Sequence, residues 1–180
     1  ATLLAFAALR DLHPVTHAVL TENEWRWLPI GQGQEFAWKV AEFLADIKPH
    51  GSGSFEAALT RLSTQRCPGQ LMVFSDFLAD TNPVEGFVRW SEMFGRPVMC
   101  RIEASGEFDM PEGASLVADT EGVGQARIPV DERGRSRLQT RIVNHRSQHV
   151  EALERARIPR CDIRTDEPMG PAIESVLMCL

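Results

Sequence analysis

At 180 residues, 43% of them hydrophobic, the chain has the length and apolar content of one globular domain with a sizeable core, and residues 1–180 read as a single domain. A formal net charge of -6 argues against nonspecific nucleic-acid binding by the whole chain, since that needs a positive field to displace counterions from phosphate. The four cysteines, Cys67, Cys100, Cys161 and Cys179, are scattered without a Cys-x-x-Cys pair, so zinc-finger and dithiol redox motifs have no support and a reducing, cytoplasmic compartment fits better.

Residues 1–12 are apolar but far short of the ~20 residues that span a bilayer, and they lack a basic leader and a cleavage site. They read as a buried helix, and no membrane segment is expected in this chain. Because the helical pattern is already running at Ala1, we expect an upstream segment in the intact protein, which could itself carry a membrane anchor. Residues 15–20 and 24–30 alternate like strands around Thr21-Glu22-Asn23, with Trp25 and Trp27 on one face and Arg26 on the other, and predict a hairpin. Gly31-Gln32-Gly33 ends it. That segment is no dinucleotide fingerprint, because the third glycine is absent.

Phe36, Val40, Phe43, Leu44 and Ile47 recur at helical spacing, and Lys48-Pro49-His50-Gly51-Ser52-Gly53 breaks that helix. A second helix carries Phe55, Ala58, Leu59 and Leu62, with Ser54 placed as its N-cap. Residues 70–77 then form the most informative segment: an apolar run, Leu71-Met72-Val73-Phe74, that ends on Ser75-Asp76. In open α/β sheets, ligands sit beyond the carboxyl ends of the strands, so Asp76 is placed to bind or catalyse. The plain alternative is an Asp that caps the turn after the strand.

Downstream, Phe87, Val88, Trp90, Met93 and Phe94 predict a helix closed by Gly95, and residues 97–102 the next strand. Residues 115–120 and 125–130 form a second predicted hairpin. A long helix follows over residues 135–157, with Leu138, Ile142 and Leu153 on one face, then a strand at residues 161–164 and a last helix around Ile173, Val176 and Leu177. His145 and His149, four apart on the long helix, have a spacing that can serve a metal, but they share the apolar face and read as half-buried packing residues. Eight arginines between residues 133 and 160 face only Glu151 and Glu154; without interleaved aromatics they read as a solvated helix face, not a nucleic-acid patch.

Helices alternating with apolar strands predict a doubly wound α/β fold, mainly parallel and Rossmann-like, with helices on both faces and hairpins at the edges. The order of elements also resembles a known family. The Leu71-Met72-Val73-Phe74-Ser75-Asp76-Phe77 strand, the Gly51-Ser52-Gly53-Ser54 loop, Met110-Pro111-Glu112-Gly113 and Leu116-Val117-Ala118-Asp119-Thr120-Glu121-Gly122 resemble the von Willebrand factor A-like domain in its bacterial form, the domain of unknown function 58. The resemblance implies a metal-ion-dependent adhesion site, in which Asp76 supplies the carboxylate after a strand and Ser54, or else Ser52, the loop hydroxyl. Mg2+ is the implied cation, and its hard oxygen ligands would include a carboxylate of the partner. The family's Asp-x-Ser-x-Ser motif is absent from these 180 residues, so the site is partial or degenerate here: either the implied first strand lies upstream of Ala1, which is the expected case, or the chain is a degenerate member whose site no longer binds metal.

Two function classes follow. The first, expected here, is a protein-binding module and not an enzyme, which the resemblance associates with MoxR-type AAA+ ATPases in protein assembly or maturation. The alternative is a metal-dependent hydrolase in which Asp76, with Asp80, binds a cation that activates water.

Overall fold

The computed structural model describes residues 1–21, 25–48, 58, 60–62, 64, 69–78, 83–94, 97–104, 113–118 and 125–180. Within them lie helices α1 (Thr2–Arg10), α2 (Gln34–Ala45), α3 (Pro83–Phe94), α4 (Glu132–Arg155) and α5 (Met169–Met178). The strands are β1 (Val15–Leu20), β2 (Trp25–Gly31), β3 (Met72–Ser75), β4 (Val98–Glu103), β5 (Gly113–Ala118), β6 (Gln125–Val130) and β7 (Arg160–Arg164). The chain divides into two compact units, one formed by the described residues up to Lys48 and the other by those from residue 58 onward.

In the first unit, Ala5 and Leu9, four apart on α1, meet Ala37 and Val40 on α2, and all four are buried. Phe36 and Leu44 extend the same face of α2, while Val15 and Leu28 close the cluster from the hairpin. Gly33 precedes α2 with φ of 83°, a left-handed step that glycine takes without steric cost. β1 and β2 pair antiparallel, Leu20 opposite Trp25 and Ala18 opposite Trp27, with a bulge between Val15 and His17. The predicted alternation is present: Trp25 and Trp27 stack with ring centroids 6.1 Å apart. Arg26 instead lies 5.5 Å over the Phe43 ring and donates to the Asp46 carboxylate at 3.2 Å.

The second unit is built on a parallel sheet of order β3-β4-β7. Phe74 lies opposite Cys100, and Cys100 opposite Cys161. Side chains alternate across the sheet. Met99 packs on one face with Phe77, Val84, Trp90, Leu153 and Ile158, so α3 and α4 cover that side. Cys100 and Cys161 point to the other face, and Cys179 at the end of α5 donates its thiol to the Arg160 carbonyl at 3.4 Å.

The described strands form a mixed α/β architecture: one parallel three-stranded sheet, with the hairpins β1-β2 and β5-β6 as separate antiparallel pairs. Connections of a few residues can join antiparallel neighbours but cannot make the crossover that parallel pairing requires. The long helix starts three residues earlier than its apolar spacing predicts. Asp131 caps it, accepting from the Gly134 amide at 2.6 Å, so the basic segment from Arg133 enters the first turn.

Candidate functional site

β3 runs into a turn that holds the candidate acid in a defined way. Asp76 lies one residue past the strand and is exposed. Ser75 Oγ accepts from the Phe77 amide at 3.1 Å, and Asp76 Oδ1 accepts from the Leu78 amide at 3.2 Å and lies 3.4 Å from the Ser75 hydroxyl. Two consecutive side-chain turns therefore lock the segment, and the capping role expected of a strand-end Asp is filled by one carboxylate oxygen. Oδ2 has no hydrogen-bond partner among the described residues.

Phe77 takes φ of 55°, which turns the chain out of the sheet while its ring stays buried, 4% exposed, in the core. A left-handed, bulky residue costs roughly 1–2 kcal/mol, and neighbours must hold it there. One of them is remote in sequence: His145 Nε2 on α4 lies 3.3 Å from the Phe77 carbonyl. His145 and His149 pack together, ring centroids 4.1 Å apart, and His149 is 8% exposed. Burial, then His145 and the nearby Arg101, push the His149 imidazole below its ordinary value.

Of the other predicted site residues, Ser52 and Ser54 lie outside the described residues, as do Asp80, Cys67 and residues 119–122. Among the described residues, no group of three His, Cys, Asp or Glu is arranged to hold a metal ion. The turn after β3 offers a cation the Asp76 carboxylate, with the Ser75 hydroxyl beside it. A hard-cation shell needs further oxygens than these two groups supply.

An ion-pair cluster on the α4 side of the sheet escapes sequence reading. Arg101 Nε sits 3.0 Å from Glu103 and 3.1 Å from Asp162, Arg146 reaches Glu103 at 3.1 Å, and Arg160 reaches Asp162 at 3.4 Å. Arg101 and Glu103 are largely buried, with side chains 13% and 19% exposed. The contacts of Arg101 and Arg146 are close charge contacts and not aligned hydrogen bonds, since Arg101 Nε and Glu103 Oε1 meet no well-directed partner. The arginines line a shallow groove of about 370 Å3 with Val143, Ser147 and Val150, and Asp76 is not part of it. The only signal in the sequence is the alternation Arg101, Glu103 on one strand against Arg160, Asp162 on another.

On the opposite face, burial pushes the Cys100 thiol up to about 12, helped by Cys161 and Cys179 nearby. Cys161 is raised too, chiefly by burial. Such thiols behave as small packed hydrophobes and not as nucleophiles. No helix among the described residues is long and apolar enough to cross a membrane.

Comparison with solved structures finds a fold likeness to the conserved hypothetical protein BatB of Bacteroides thetaiotaomicron, with a TM-score of 0.54 and 14% identity. It covers 99% of this chain and 85% of that one, and at this identity it concerns the fold alone. No curated protein matches the chain. The family model described as "Protein of unknown function DUF58" matches residues 1–148, a stretch that takes in the hairpins, β3 with its Asp76 turn, β4 and most of α4. With that much of its length matched, this chain belongs to the DUF58 family.

Proposed function

We propose that this chain is a protein-binding module of the von Willebrand factor A-like type, with a doubly wound sheet and a metal-ion-dependent adhesion site, and that it binds and does not catalyse. The observation that carries the reading is the position of Asp76, exposed one residue beyond β3 at the carboxyl end of a parallel sheet. Ligands of open α/β sheets gather at that edge. The internal turn uses Oδ1, which leaves Oδ2 for a cation.

In this reading Mg2+ takes oxygens from Asp76 and from the Ser54 or Ser52 hydroxyl, and an Asp-x-Ser-x-Ser strand supplies the rest of the shell. Such a strand would pair with the edge of β3 away from β4, which has no strand neighbour among the described residues. The metal's open position takes a Glu or Asp from the partner. The partner proposed is a MoxR-type AAA+ ATPase, and the role is in assembly or maturation of other proteins; support for this comes from the resemblance of the chain's segments to that bacterial family.

The test is capture of the neighbouring MoxR-type ATPase by the full-length protein, in magnesium, in chelator, and with Asp76→Ala. Capture should fall at least tenfold in chelator and in the variant. Equal capture in all three conditions rejects the metal bridge.

A further inference from the structure

The peptide unit between Phe77 and Leu78 is held at both ends. Its amide, from Leu78, donates to Asp76 Oδ1 at 3.2 Å, and its carbonyl, from Phe77, lies 3.3 Å from His145 Nε2. A peptide is planar and rigid, so a group that fixes its carbonyl also fixes the direction of its amide. A carbonyl oxygen can only accept, so His145 must carry its proton on Nε2 for this contact to form. The His145 ring is itself packed on buried His149, which limits its rotation.

We propose that His145 is a positioning residue for Asp76: through the Phe77-Leu78 peptide, its Nε2–H sets the direction of the N–H that holds Oδ1, and so aims Oδ2 outward. The proposal rests on the reading of Asp76 as the ligand-binding acid. The hydrogen bonds within the turn, Ser75 Oγ to the Phe77 amide and Asp76 Oδ1 to the Leu78 amide, restrain only its N–H groups. His145 restrains the carbonyl side. Its loss removes that restraint from the strained peptide at Phe77, which loosens the Leu78 bond and with it the hold on the carboxylate. Polarisation along the chain Nε2–H···O=C–N–H···Oδ1 strengthens both hydrogen bonds while the relay is intact.

The test compares three variants in the full-length protein. His145→Gln keeps a donor at a reach close to that of Nε2, His145→Leu removes it, and His145→Asn keeps an amide that stops short. In metal-free protein, hydrogen exchange of the Leu78 amide should speed up at least tenfold in His145→Leu and His145→Asn and stay within twofold in His145→Gln. Mg2+ affinity, measured by titration, should follow the same order. Leu78 exchange that is unchanged in His145→Leu, or equally fast in all three variants, overturns the proposal. Mg2+ binding that Asp76→Ala leaves unchanged rejects the underlying reading of Asp76 instead, so the two failures are told apart.

Discussion

Burial sets the chemistry of His149 more than any partner does. At 8% exposure it faces His145 on its own helix and Arg101 from β4, all of which disfavour the imidazolium. His17 in the other unit is lowered as well, chiefly by burial. Both folded values lie below the ordinary 6.5, so as pH falls past about 6.5 the unfolded chain takes up protons that the folded one refuses. Their contribution is therefore complete above that pH and is lost progressively below it. Melting temperature should fall between pH 7 and pH 5, and His149→Phe should flatten the decline; an identical slope in the variant would remove His149 from this account. Asp76 was legible in the sequence because an apolar run ending on an acid is a local pattern. Its contact through Phe77 with His145 was not, because 68 residues separate the two.

Elements were legible wherever their signals are local. The Trp25, Arg26, Trp27 alternation predicted the first hairpin, and the spacing of Phe36, Val40 and Leu44 predicted the buried face of α2. The start of α4 was misplaced because apolar spacing says nothing about a cap. Asp131 provides the missing signal, with Glu132 in the first turn and Arg155 in the last, each charge complementing the helix dipole. Asp131→Ala should cost about 1 kcal/mol in urea denaturation, and Asp131→Ser only a few tenths. An alanine variant as stable as the parent would show that water satisfies the first turn equally well.

For the whole molecule, the decisive feature is the pair of outer edges of the parallel sheet. Among the described residues β7 ends the sheet on one side with Arg160, Asp162 and Arg164, charges that discourage pairing with another strand. β3 ends it on the other with Met72, Val73 and Phe74, an uncharged edge whose only strand neighbour among the described residues is β4. This chain by itself should self-associate with rising concentration in sedimentation velocity, and Phe74→Lys should reduce the effect. A monomer at all concentrations with one cooperative melt would mean that the edge is already covered. By itself the sequence determined what depends on neighbours a few residues away: the helices and strands of the described residues, the two hairpins, and an acid at the end of β3, while the helix predicted over Phe55 to Leu62 lies largely outside those residues. Only the tertiary structure decided the β3-β4-β7 order, the Arg101-Glu103-Asp162 cluster and the hold of His145 on the Asp76 turn. These join residues tens of positions apart, and closing such loops carries no signature in any local run of sequence.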